Sequence, residues 1–206
     1  MSRPAFVLRG LYAVTAGPDP VRGVADALAG GGRAVQYRDK GRDPDRRRRE
    51  ALELLALCRE RGVPLLINDD VELAAAVGAD GVHLGRDDPP LAEARRRLGP
   101  DALIGVSCYN ELERALAARD AGADYVAFGR FFASGTKPLA VQAEPALLRR
   151  ARPLVRLPLV AIGGITPENG GALIEAGADM LAVIGGVFGQ PDIRRAALAF
   201  STLFEP

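Results

Sequence analysis

A single-domain α/β fold, a closed (β/α)8 TIM barrel, is what the sequence predicts, on three observations. Eight apolar runs of strand length recur along the chain, helix-period segments separate them, and one tripeptide returns three times where a helix gives way to a strand. In 206 residues such a barrel has little room for insertions, and one domain spanning 1–206 is expected. An open doubly wound sheet is the alternative. It usually carries a glycine-rich dinucleotide loop after its first strand, and Thr15-Ala16-Gly17-Pro18 is not one.

The strands are expected at Leu11–Thr15, Ala34–Arg38, Pro64–Ile67, Gly81–Leu84, Leu103–Ser107, Tyr125–Phe128, Pro158–Ile162 and Met180–Ile184. Each is short and nearly continuously apolar, as a parallel strand covered on both faces must be. Helices are expected at Val21–Ala29, Asp45–Arg61, Val71–Val77, Leu91–Leu98, Glu111–Ala121, Glu144–Arg152, Pro167–Ala176 and Pro191–Leu203. The second shows the period best, with Ala51, Leu52, Leu55 and Cys58 on a face opposite Arg46–Arg49. Pro167 and Pro191 suit first-turn positions, where no amide donor is missed. The repeated tripeptides are Gly78-Ala79-Asp80, Gly122-Ala123-Asp124 and Gly177-Ala178-Asp179. Glycine there ends a helix and aspartate turns the chain into a strand, so these belong on the rim away from the chemistry.

A net charge of +1 gives no argument for nucleic acid or a membrane surface, and Arg46–Arg49 reads as a solvated helix face. No apolar run approaches membrane length, and Cys58 and Cys108 make neither a disulfide framework nor a metal-ligand spacing. A cytoplasmic protein is expected, with a homo-oligomer left open. All but two of the 27 basic residues are arginine. Lys40 and Lys137, both following strands, therefore suggest ammonium point charges placed on phosphate oxygens.

In a barrel, residues just past the strands share one mouth. Asn68 and Asp69 leave the third strand there and Asp88 leaves the fourth. Two carboxylates about 4 Å apart repel by roughly 4 kcal/mol at an effective dielectric of about 20, so a cation should lie between them. Oxygen ligands without Cys or a second His favour Mg2+ over zinc. Alternation along the second strand puts Gln36 and Arg38, and Lys40 if it continues, on one side. Ser107 closes the fifth strand, and Ser134, Gly135, Thr136 and Lys137 follow the sixth. Gly163-Gly164 and Ile184-Gly185-Gly186 follow the seventh and eighth, where barrels commonly hold a phosphate on backbone amides. His83, inside the fourth strand, reads as a packed or hydrogen-bonded structural residue.

The stretches LYAVT, VQYRDK, INDD, GVHLGRDD, IGVS, GADYVAFG with TKP, and AIGGI followed by AGAD together resemble the thiamine-phosphate synthase family almost end to end. The resemblance implies condensation of an aminopyrimidine methyl diphosphate with a thiazole ethyl phosphate, releasing diphosphate. It implies that Gln36, Arg38, Lys40, Asn68 and Lys137 hold the pyrimidine diphosphate, with Ser107 nearby, and that Asp69 and Asp88 bind magnesium. Ser134, Gly135, Thr136, Gly164, Ile184 and Gly185 would receive the thiazole phosphate. Ser134 stands where the family often has threonine and Gly185 where serine is common, so Gly185 offers only its amide. Two rivals remain: a thiazole-tautomerase-like isomerase on the same barrel, and a non-catalytic sensor of phosphorylated ligands.

Overall fold

In the computed structural model, which describes residues 7–133 and 141–205, eight parallel strands close into a barrel in sequence order, each paired with its neighbours and the first with the last. They are β1 (Gly10–Val14), β2 (Ala34–Tyr37), β3 (Leu65–Asn68), β4 (Gly81–Leu84), β5 (Leu103–Tyr109), β6 (Tyr125–Gly129), β7 (Leu159–Ile162) and β8 (Met180–Val183). The helices are α1 (Pro20–Ala29), α2 (Pro44–Glu60), α3 (Val71–Val77), α4 (Leu91–Leu98), α5 (Leu112–Asp120), α6 (Pro145–Val155), α7 (Pro167–Glu175), α8 (Gly185–Phe188) and α9 (Ile193–Ser201). None of them is long and apolar enough to cross a membrane.

Alternation along each strand makes two cores. Tyr12, Val14, Leu66, Tyr125, Val160 and Met180 belong to an inner cluster, whereas Leu11, Phe128, Leu159 and Leu181 pack outward with Leu148, Leu173 and Phe200 of the helices. On the other side of the barrel Val35, Leu65, Ile67 and Val82 do the same with Leu54, Leu55 and Cys58 of α2.

Four details depart from expectation. On α2 the buried set is Ala51, Leu54, Leu55 and Cys58, while Leu52 is exposed. Spacings of three, four and seven residues share a face, and Leu52 lies about 100° round the helix from Ala51. Pro191 does not open the last helix: Asp192 caps it, its carboxylate accepting from the Arg195 amide at 2.8 Å. Pro167 does open α7. β5 runs past Ser107 to Tyr109 through a bulge that leaves Tyr109 at φ +54°. The short helix α8 stands between β8 and the last helix, where the sequence predicts no separate helix.

The three repeated aspartates lie at the strand starts, away from the mouth. Asp80 accepts from the Leu65 amide at 2.9 Å, Asp124 from Ile104 at 2.7 Å and Asp179 from Leu159 at 2.7 Å. Each carboxylate thus holds the start of the strand preceding its own, which every second strand of this stretch repeats.

Candidate active site

The mouth holds a cavity of about 140 Å³ walled by residues from all eight strands or their ends, among them Tyr12, Gln36, Asn68, His83, Ser107 and Ile184. Its floor is polar although deeply buried. The Gln36 amide nitrogen donates to the Tyr12 hydroxyl at 2.9 Å, and Tyr12 meets Tyr125 hydroxyl to hydroxyl at 2.9 Å. Tyr125 reaches His83 Nδ1 at 2.9 Å, and His83 Nε2 reaches Ser107 Oγ at 2.8 Å. Five strands each contribute one member, because inward-facing positions of a barrel converge on its axis. Such a network is stable only if its members satisfy one another.

Beside this floor the ends of β3 and β4 bring the acidic pair together. Asp69 sits at φ +65°, its amide donating to the His83 carbonyl at 2.9 Å, which turns its carboxylate out of the strand path. Asp88 is folded back so that its carboxylate accepts from the Gly85 amide at 2.5 Å. The two carboxyl groups are in hydrogen-bond contact, and the Lys40 ammonium pairs with Asp69. Burial by itself would raise the Asp69 carboxyl, but Lys40, Asp88 and Asn68 together hold it below the usual carboxylate range. Asp88 is pushed up, by burial first and then by the neighbouring Asp69 charge, against the pull of the Gly85 amide. A pair in which one carboxylate raises the other is short of positive charge, and its hard oxygen donors fit a magnesium-type cation. Among the described residues no third His, Cys, Asp or Glu completes a metal cluster, so other ligands would be water or substrate oxygens.

The expected residues fall as follows. Gln36, Arg38, Asn68, Ser107 and Ile184 line the cavity, while Lys40, Asn68 and Asp69 line an open groove that adjoins it and continues to Arg96 and Arg97. Arg38 is anchored by its backbone, its amide donating to Thr15 Oγ1 at 2.8 Å. Asp70 caps α3 through the Leu73 amide at 2.8 Å and pairs with Arg47. Ser134, Gly135, Thr136 and Lys137 lie outside the described residues. Gly164, at φ +64°, packs so closely on the chain after β6 that a Cβ would sit 2.2 Å from the Ala133 carbonyl oxygen. Gly185 is exposed at the start of α8, with open space where its side chain would be. His83, read from sequence as structural, is hydrogen-bonded and also walls the cavity. The residues missed altogether are Tyr12 and Tyr125, which in sequence are two more members of apolar strands.

A family model described as thiamine monophosphate synthase matches residues 11–187. A thiamine-phosphate synthase of Thiobacillus denitrificans is 56% identical over 199 residues, covering 95% of this chain and 94% of that protein. One of Nitrosococcus oceani is 54% identical over 202 residues, covering 96% and 93%. Among solved structures, thiamine phosphate pyrophosphorylase from Pyrococcus furiosus superposes with a TM-score of 0.88 at 35% identity, covering 96% of each chain.

Proposed function

The chain belongs to the thiamine monophosphate synthase family, and from that premise we propose how its own residues carry out that family's transfer. The enzyme is a transferase that joins an aminopyrimidine methyl diphosphate to a thiazole ethyl phosphate, giving thiamine phosphate and diphosphate. The observation that carries the assignment of roles is the meeting of Asp69, Asp88 and Lys40 at the edge of the cavity walled by Gln36, Asn68 and Ser107.

Asp69 and Asp88 would hold Mg2+, which when bound supplies positive charge to the diphosphate oxygens. Gln36, Asn68 and Ser107 orient the pyrimidine in the cavity, and Arg38, Lys40 and Lys137 bind the diphosphate. The bond from the methylene carbon to the diphosphate oxygen breaks first, the electron pair leaving with the diphosphate. The electron-rich amino ring carries the resulting cation until the thiazole nitrogen donates its lone pair to the same carbon. No protein nucleophile is needed; the cationic side chains stabilise charge as it develops on the leaving oxygens, and the cavity walls hold the reactants in line. Ser134, Gly135, Thr136, Gly164, Ile184 and Gly185 would take the thiazole phosphate. A cytoplasmic setting suits the two buried free thiols.

Diphosphate release tests this reading. It should require both substrates and Mg2+, and Asp69→Ala or Asp88→Ala should lower turnover by about 10²-fold or more, the scale of losing one preorganised electrostatic contact. Full activity in excess chelator, or isomerisation of the thiazole without diphosphate release, would refute it.

A further inference from the structure

The buried chain of hydrogen bonds beneath the cavity has a direction, and that direction reaches the substrate. Tyr12 and Tyr125 are 2% and 1% exposed, and burial pushes the Tyr12 phenol up to about 12 and that of Tyr125 well above its ordinary 10.0. Each therefore keeps one proton, and a buried proton without an acceptor costs about 1–3 kcal/mol. Gln36 donates to Tyr12, so the Tyr12 proton goes to Tyr125, the neighbour with which it exchanges its other hydroxyl contact. The Tyr125 hydroxyl, having accepted from Tyr12, gives its own proton to His83 Nδ1. An imidazole that accepts at Nδ1 carries its hydrogen on Nε2 when neutral, and Nε2 faces Ser107 Oγ. Ser107 then accepts from the histidine and keeps its own hydrogen for the cavity it lines.

We propose that Tyr125 is a positioning residue for the transfer reaction: relaying the polarity set at Gln36, it locks His83 in the Nε2–H tautomer and turns Ser107 into an obligate hydrogen-bond donor toward an acceptor atom of the pyrimidine diphosphate. The opposite end completes the pattern. With one amide hydrogen given to Tyr12, Gln36 is fixed in orientation and keeps its carbonyl oxygen and its second N–H in the wall of the same cavity. The Ser107 end therefore selects for an acceptor on the substrate, and a ligand that offers only a donor there meets a mismatch. The substrate half of this inference rests on the function proposed above; the tautomer half does not.

The chain contains a single histidine, so its imidazole nitrogens are observed without ambiguity in a nitrogen-15 labelled sample. The spectrum of the intact protein should show Nε2 protonated and Nδ1 bare. A protonated Nδ1 in the neutral ring would overturn the proposal. Tyr125→Phe should give a mixture of tautomers and lower kcat by as much as about 10²-fold, the cost of modest misplacement of a reacting group. In a Ser107→Ala background the same change should cost less than about twofold, since the relay then has nothing to orient. Losses that instead multiply in the double variant would show that Tyr125 acts through general packing and would also overturn it. Should Tyr125→Phe fail to fold, the imidazole spectrum of the unaltered protein still decides the direction of the chain. Absence of diphosphate release by the unaltered enzyme would sink the proposed function while leaving the tautomer assignment standing.

Discussion

Gly105 shows how one missing side chain makes the floor of the site. It pairs with Tyr125 across β5 and β6, and a Cβ on Gly105 would lie 1.9 Å from the Tyr125 ring carbon Cζ. The ring can therefore lie over the neighbouring strand and put its hydroxyl between those of Tyr12 and the His83 imidazole, against which it stacks at 5.6 Å between centroids. Gly105→Ala should push the ring aside, costing about 1–3 kcal/mol as an overpacked core substitution does. It should also disturb the imidazole nitrogen resonances. A lowered urea midpoint with an unchanged imidazole spectrum would mean that the ring accommodates the methyl group without breaking the relay. At this scale the sequence was a partial guide. It pointed to Gln36, Asn68 and Ser107 because polar residues in apolar strands are conspicuous, but a tyrosine inside a strand looks like any other large hydrophobe until its hydroxyl is seen facing another.

At the scale of elements, the repeated tripeptide is the device that registers alternate strands. Asp124 accepts both from the Ile104 amide and from Arg95 of α4, each at 2.7 Å, and Asp179 accepts from the Leu159 amide and from Arg152 of α6. The arginine of each pair also donates to the glycine carbonyl of its tripeptide, Gly122 or Gly177, and Arg59 of α2 does the same at Gly78. A helix, the next helix's end and two strand starts are thus tied at one point, on the rim opposite the mouth. Asp179→Ala leaves a strand amide and a guanidinium without their partner, and should lower unfolding free energy by about 2–3 kcal/mol. Diphosphate turnover at 25 °C should stay within about twofold, because this carboxylate on the opposite rim shares no hydrogen-bond partner with the residues of the mouth. A large loss of turnover at full occupancy of the folded state would contradict the separation of the two rims. The placement of this rim was legible from the glycine and aspartate spacing alone. The bulge of β5 and the short helix α8 were not, since both follow from tertiary pairing of segments whose local composition favours no single conformation.

For the whole molecule, closure of the barrel buries ionisable groups that never meet water, and this sets how the fold responds to base. Cys58 and Cys108 are fully buried, and desolvation pushes both thiols from an ordinary 9.0 up to about 12, with help from the Asp80 charge at Cys58. Tyr12, Tyr37 and Tyr125 are raised in the same sense, burial leading in each case. The folded chain therefore keeps these protons while the unfolded chain gives them up, first the thiols near 9.0 and then the phenols near 10.0. Stability from these groups is complete below pH 9 and drains away as pH climbs towards 12, since the folded state binds more protons than the unfolded one across that window. The urea midpoint, measured under reducing conditions, should accordingly fall as pH rises above 9. In the Cys58→Ala, Cys108→Ala double variant the midpoint starts lower because two cavities have been cut, but its decline between pH 9 and 10 should be shallower, the thiol share of the linkage having gone. A decline equally steep in both proteins would place the alkaline sensitivity outside the buried thiols.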